Sequence, residues 1–165
     1  MADDTNPLQE LLVDELKDLY SAENQIIRAL PKMIKAATAP GLRRGFEKHL
    51  EGTRRQVDRL DQIAEILDIR LTGKKCTGME GVIEEGKEAL DEFEGNVLDA
   101  ALIGAAQKVE HYEIATYGTA RAHAQLLGHA RVVRLLQQSL NEEAATDKKL
   151  TELAESIINV EAVEV

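Results

Sequence analysis

The chain has 165 residues, of which 44% are apolar, and it carries a formal net charge of −10 at pH 7. A chain of this length can bury an ordinary hydrophobic core, so we expect a single domain over residues 1–165. The negative charge disfavours nucleic acid and membranes as partners, because nucleic acid and anionic membrane surfaces both attract basic proteins. One cysteine, Cys76, excludes a disulfide framework within the chain. No signal peptide and no apolar run of about 20 residues is present, which predicts a cytoplasmic protein.

The composition is typical of long helices. Aromatic residues make up only 3% of the chain, and tryptophan is absent. Asn6 followed by Pro7 is typical of a helix start, and apolar residues recur at helical spacing after it. Helical periodicity predicts helix A over about residues 7–37, helix B over about 41–69, a short acidic helix over about 79–92, helix C over about 96–126 and helix D over about 129–157.

The connections between these helices select a topology. Helices A and B, and helices C and D, are joined by a few residues each, so each pair should form an antiparallel hairpin. The connection from B to C needs about 27 residues and includes the short helix. Two hairpins joined by one long crossover are typical of ferritin-like four-helix bundles. The predicted fold class is therefore an all-α, ferritin-like antiparallel bundle with a short fifth helix in the crossover.

Several polar residues interrupt the apolar faces of the helices. In helix C, Glu110 and Glu113 share a face with core positions, and in helix A Glu23 occupies a position where an aliphatic residue would be expected. Helix D places Glu143 and Asp147 on its apolar stripe. Helix B places three further polar residues on its own stripe, namely His49, Thr53 and Gln56.

These interruptions occur near the middle of each helix and would bring carboxylates together. A buried carboxylate costs several kcal/mol unless it is paired or bound to a metal, so a cluster of them predicts a cation. Carboxylate oxygens with an imidazole suit iron or manganese. For any one glutamate taken alone, an ordinary ion pair with Arg or Lys at the edge of the stripe is the simpler interpretation. His111 lies beside the stripe and is interpreted as a packing or hydrogen-bonding residue.

Several stretches, including LYSAENQIIRALPKM and above all QKVEHYEIA, resemble the YciF-like branch of the ferritin-like superfamily. The resemblance covers nearly the whole chain and implies a ferritin-like bundle that forms homodimers, with stress response as the associated role. The ferritin-like pattern has one Glu in each of helices A and C, which Glu23 and Glu110 match. It also has Glu-x-x-His in helices B and D. Glu143 matches the Glu of helix D, but Thr146 replaces the His, so Asp147 would have to substitute for it.

Helix B departs further from the family pattern, because Thr53 and Gln56 stand in place of its Glu and His, with His49 one turn earlier. One half of the site is therefore depleted, although enough carboxylates remain for one or two ions. The predicted ligands of iron or manganese are Glu23, Glu110, Glu113, Glu143, Asp147 and His49. The residues expected around these ligands are Thr53, Gln56 and Thr146.

Two functional hypotheses follow. In the first, the protein is a ferritin-like metal-binding protein of stress response, whose reaction would be peroxide reduction, peroxide disproportionation or ferrous-iron oxidation. In the second, it is a structural or interaction protein that has kept the bundle and lost the metal chemistry. Nucleic-acid binding through Arg54, Arg55 and Arg59 is a third hypothesis, which the overall acidity disfavours.

Overall fold

The computed structural model describes residues 6–164, and that range contains helices and short connections but no strand. The helices are α1 Pro7–Ala36, α2 Pro40–Leu67, α3 Thr77–Glu92, α4 Gly95–Leu126, α5 Ala130–Leu153 and α6 Asn159–Val163, with a π-helical turn over Ala154–Ile158 between the last two. The predicted all-α class is confirmed. The expected domain limits at residues 1 and 165 lie outside the described residues.

The starts of α1 and α3 are each capped by a side chain. Asn6 accepts a 2.9 Å hydrogen bond from the backbone N–H of Leu8, as the Asn-Pro start predicts. At α3 the thiol of Cys76 accepts from the N–H of Met79, so this helix begins at Thr77, slightly before its predicted start. Cys76 is thus a buried capping residue.

The helices form two antiparallel hairpins, with residues 37–39 joining α1 to α2 and residues 127–129 joining α4 to α5. The crossover over residues 68–94 carries α3, which packs against α4 and α1. Around the bundle, α1 lies beside α2 and α4, and α5 lies beside the same two helices. The predicted ferritin-like bundle with a long crossover is therefore confirmed.

Helix D ends differently from its prediction at about residue 157. Regular α-helix stops at Leu153, and the chain continues through the π-helical turn into α6, which ends at Val163. Ala154 and Ile158 are both buried in this turn. Both side chains pack into the apolar core, so the chain stays docked on the bundle beyond the end of α5.

The connection between α1 and α2 is held against α4 by Asp99, a buried residue of α4. Its carboxylate accepts 2.8 Å hydrogen bonds from the backbone N–H groups of Thr38 and Ala39, and a 2.6 Å bond from the hydroxyl of Thr38. The connection between α1 and α2 therefore has its free amide donors satisfied by a side chain of the second hairpin.

The apolar interior consists of two clusters, one at each end of the bundle. The first includes Phe46 and Leu102, and the second includes Leu12, Leu60 and Leu136. Between them, each long helix contributes at least one buried polar residue. We call these residues the polar layer, which consists of Glu23, His49, Glu110, Glu113 and Glu143.

Candidate metal centre

The polar layer lies deep inside the bundle. Glu23 comes from α1, His49 from α2 and Glu143 from α5, while Glu110 and Glu113 lie three residues apart on one face of α4. Glu23, Glu110 and Glu113 are 0% exposed, Glu143 is 1% exposed and His49 is 7% exposed. Apolar clusters on both sides keep solvent away, so the charges of this layer must be compensated inside the bundle.

Four of these residues converge on a common point. His49, Glu110, Glu113 and Glu143 each offer one nitrogen or oxygen atom, and these four atoms all lie within 4.8 Å of one another. Nε2 of His49 is 2.9 Å from Oε1 of Glu110, yet the two atoms are not aligned for a hydrogen bond. Two ligands that bind one ion at about 2.1 Å lie about 3 Å apart when they are at right angles. The separation therefore suits ligands of a shared cation.

Most polar atoms of the layer have no protein partner. Both carboxylate oxygens of Glu110, Glu113 and Glu143 are buried without a hydrogen bond, as are both ring nitrogens of His49. Buried polar atoms in native proteins are almost always satisfied, so a convergent group without partners indicates a ligand. Three carboxylates and one imidazole are the donor set that iron and manganese accept. These residues therefore fit a metal ion of that class.

The carboxyl group of Glu23 lies beside this group, and only one of its two oxygens makes a hydrogen bond. Its Oε1 accepts a 2.5 Å hydrogen bond from the hydroxyl of Tyr117, and its Oε2 has no partner. The carboxyl groups of Glu23 and Glu113 lie within hydrogen-bonding range of each other. Because two carboxylates both accept, this contact becomes a hydrogen bond only when one of them holds a proton. Glu23 can therefore share either a proton or a cation with its neighbours.

Burial and mutual repulsion shift the pKa values of the whole layer. Burial raises the pKa of Glu23 to about 8, with the charge of Glu143 as the next cause, and burial raises the pKa of Glu110 to about 7. Burial also raises the pKa values of Glu113 and Glu143 well above the usual range. The pKa of His49 is lowered by burial, against the opposing charges of Glu143 and Glu23. Without a cation, the layer therefore holds protons near neutral pH.

Asp147, the remaining predicted ligand, lies outside the group of converging atoms. Its Oδ2 is 3.2 Å from Nε2 of His111, and its Oδ1 accepts a 3.3 Å hydrogen bond from the side-chain amide of Gln107. The side chain of Asp147 is 20% exposed. His111 thus acts as the polar partner that its position beside the stripe predicts. A role for Asp147 as a metal ligand stays a prediction.

The three residues predicted around the ligands take different positions. The hydroxyl of Thr53 donates a 2.9 Å bond to the backbone oxygen of His49, which fixes it within α2. Gln56 donates to Glu142 at 3.3 Å, while its own side-chain oxygen is buried without a partner. Thr146 donates to the backbone oxygen of Glu142 within α5. Gln56 is therefore the member of this set with a free acceptor near the layer.

Two polar partners are absent from the predicted site. Tyr117 shares a face with Glu110 and Glu113, so the helical spacing already indicated its position. Arg59, which the nucleic-acid hypothesis groups with Arg54 and Arg55, is buried and makes hydrogen bonds of 2.6 and 2.7 Å to the two carboxylate oxygens of Glu142. Nothing in the local pattern of α2 indicates this pairing, because its partner lies on another helix.

Comparison with known proteins places the chain in a family. Residues 7–163 match the family model described as a domain of unknown function, DUF892. The protein YciF of Escherichia coli K12 is 46% identical over 157 residues, which cover 94% of this chain and 95% of YciF.

Solved structures agree with this assignment. The structure of YciF, described as an E. coli stress protein, has a TM-score of 0.89 at 44% identity and covers 94% of this chain and 99% of its own. YcfI of Rhodopseudomonas palustris, for which a structural role has been suggested, has a TM-score of 0.86 at 45% identity over 92% of this chain and 97% of its own. The chain therefore belongs to the DUF892 family, and YciF is its homologue.

Proposed function

We propose that this protein binds iron or manganese in the polar layer of its bundle and serves as a ferritin-like protein of stress response. The observation that carries the proposal is the convergence of His49, Glu110, Glu113 and Glu143, whose buried ligand atoms have no hydrogen-bond partner. The homologue YciF is described as a stress protein, which supports the cellular role.

The chemistry follows from the donor set and its surroundings. A redox-active ion held there would supply peroxide reduction, peroxide disproportionation or ferrous-iron oxidation. The carboxyl groups of Glu23 and Glu110 can take up or release protons near neutral pH, because their pKa values are raised to about 8 and about 7. A cavity of about 40 Å³ between α1, α3 and α4 reaches His49 and is lined mainly by apolar side chains. This lining favours a small uncharged oxidant as co-substrate.

The second candidate is a structural or interaction protein without metal chemistry. It is favoured by α2, where Thr53 and Gln56 supply no charged ligand, and by the raised pKa of Glu113. Protons shared among the carboxyl groups could then satisfy the layer in place of a cation. The two candidates differ in whether the folded protein takes up metal.

Elemental analysis of full-length protein purified without chelators tests the proposal. After reconstitution with Fe²⁺ or Mn²⁺, we expect bound metal and a raised melting temperature, because a ligand that binds only the folded state stabilises it. Glu143→Ala should lower the bound metal and leave the helix content unchanged. The matched control is Glu152→Ala, at an exposed position of the same helix. Absence of metal together with an unchanged melting temperature would support the structural candidate.

We also propose that the protein forms a homodimer in the cytoplasm. The homodimer is what the resemblance to the YciF-like branch implies. Within residues 6–164 no helix has the length and apolar character to cross a membrane. A stable interface should bury at least about 1,000 Å² in total. Light scattering at micromolar protein should give the mass of a dimer, and a monomer mass would contradict the proposal.

A further inference from the structure

An open groove of 430 Å³ runs between α2 and α5. His49 lines this groove and also the apolar cavity described above. Its α2 wall contains Gly41, Gly45 and Gly52, whose missing side chains leave room between the two helices. Four basic residues line the groove, namely Arg44, Lys48, Arg55 and Lys149. We call this feature the basic groove.

The basic side chains of the groove form no close ion pairs, and the charge of Glu51 acts on Lys48 more weakly than the charge of Lys149 does. Among the residues that the structure describes, none of these four side chains has an acidic group within 4.0 Å. The one carboxylate in the lining, Glu142, is bound through both oxygens to Arg59. A group of unpaired cations is unexpected in a chain with a net charge of −10.

Two of the cations lie on opposite walls of the groove. Lys48 on α2 and Lys149 on α5 both line the groove, and the positive charges of Lys149 and Arg55 lower the pKa of Lys48. Like charges on facing walls repel, and the repulsion is relieved when an anion bridges them. Because the two lysines come from different helices, such an anion would also join the two walls of the groove.

The floor of the groove carries an unsatisfied polar side chain. His49 lines the groove and is 7% exposed, and its Nδ1 has no hydrogen-bond partner. The same ring directs Nε2 to Glu110 in the polar layer. An imidazole with a proton on Nδ1 can donate to an oxygen in the groove and leave Nε2 free to bind a cation. The groove and the polar layer therefore share one residue.

We propose that the basic groove binds a small oxoanion of the class of inorganic phosphate, held between Lys48, Lys149 and Arg55. The inference does not rest on the proposed metal binding, because the basic side chains face the groove independently of the polar layer. Its limited number of cations suits a single small anion. The phosphate backbone of nucleic acid would require an extended basic surface, which the net charge of −10 disfavours.

The test uses full-length protein, treated with chelator, and titration with inorganic phosphate at low ionic strength. Isothermal calorimetry should show one saturable site per chain, and NMR should show shifts of the amide signals of Gly45 and Gly52. The double variant Lys48→Gln/Lys149→Gln should weaken binding at least about tenfold, because charge-assisted hydrogen bonds to both lysines are lost. Circular dichroism should show that this variant remains folded.

The matched control is Lys87→Gln/Lys108→Gln, which removes the same charge from lysines that pair with Glu84 and Glu85 outside the groove. We expect this control to bind phosphate within about twofold of the unaltered protein, since exposed ion pairs contribute little. Absence of saturable binding, or an equal loss in both double variants, would overturn the proposal. Tighter binding of a short DNA duplex than of phosphate at the same salt would also overturn it, in favour of a nucleic-acid surface.

Discussion

The hydroxyl group of Tyr117 donates a 2.5 Å hydrogen bond to Oε1 of Glu23, and neither side chain is exposed to solvent. The bond joins α4 to α1 at the polar layer. Since Oε2 of Glu23 has no partner, Tyr117 provides the hydrogen bond that compensates the burial of this carboxyl group.

Tyr117→Phe should therefore lower the free energy of unfolding by about 1–3 kcal/mol, because it leaves a buried acceptor without its donor. Urea denaturation of the metal-free protein measures the change. The control is Tyr20→Phe, at a partly exposed tyrosine of α1, which should change stability by less than about 0.5 kcal/mol. An equal loss in the two variants would contradict a special role for the Tyr117 hydroxyl.

The metal-free protein should become less stable as pH rises from about 5 to about 8. The carboxyl groups of Glu23 and Glu110 ionise near pH 4.5 in the unfolded chain, whereas their pKa values in the fold are about 8 and about 7. Between these values the folded state binds more protons, so the free energy of unfolding falls with pH. His49 acts in the opposite sense below about pH 6.5, because its pKa is lowered.

Urea denaturation in the presence of chelator at several pH values checks this dependence. The variants Glu23→Gln and Glu110→Gln should flatten the slope, since an amide does not titrate in this range. Stability that rises steadily between pH 6 and pH 8 would show that the carboxyl groups are ionised in the metal-free fold.

Metal binding should release protons, and the affinity should rise from pH 6 to pH 8. The raised pKa values of Glu110, Glu113 and Glu143 mean that the layer is partly protonated at neutral pH, and ligands must lose these protons to bind a cation. Calorimetry with Mn²⁺ in buffers of different ionisation enthalpy counts the protons. A binding heat that does not depend on the buffer would contradict the prediction.

Glu113→Gln should raise the stability of the metal-free protein and weaken its metal binding. Both oxygens of Glu113 lack partners, and burial and the charge of Glu143 raise its pKa. Because an amide carries no charge to be buried beside Glu143, the variant should make the metal-free protein more stable at pH 8. The same variant should gain less in melting temperature from added Mn²⁺. Lower stability of the metal-free variant would contradict the predicted repulsion.

Gly78 and Gly81 provide a test of how α3 packs on the bundle. A Cβ atom at Gly78 would lie 2.6 Å from a ring carbon of Tyr112, whereas one at Gly81 would meet nothing within 4 Å. The Tyr112 ring cannot move freely, because its hydroxyl donates to Asp18 at 2.9 Å. Gly78→Ala should therefore destabilise the protein by about 1–3 kcal/mol.

Gly81→Ala is the matched control, because it lies on the same helix and should stabilise the protein by up to about 1 kcal/mol. Thermal denaturation of both variants measures the difference. Equal melting temperatures would show that α3 moves away from α4 at little cost.

The sequence alone determined the helical class, the approximate helix limits and the connectivity. These features depend on local properties, namely the helical period, capping residues such as Asn6 and the lengths of the connections. The same period identified Glu23, Glu110, Glu113 and Glu143 as residues on core-facing stripes, and the structure shows all four buried. A residue's face on a helix follows from its rotation of about 100° per residue, without knowledge of the neighbouring helices.

Only the tertiary structure decided which polar groups meet. Glu143 joins His49 and the α4 carboxylates, whereas Asp147, one turn further along α5, contacts His111 instead. Arg59 pairs with Glu142 across two helices, and the basic groove arises where α2 faces α5. These side-chain contacts depend on the distance between the helices and on the rotamer of each side chain. The periodicity of a single helix contains neither quantity.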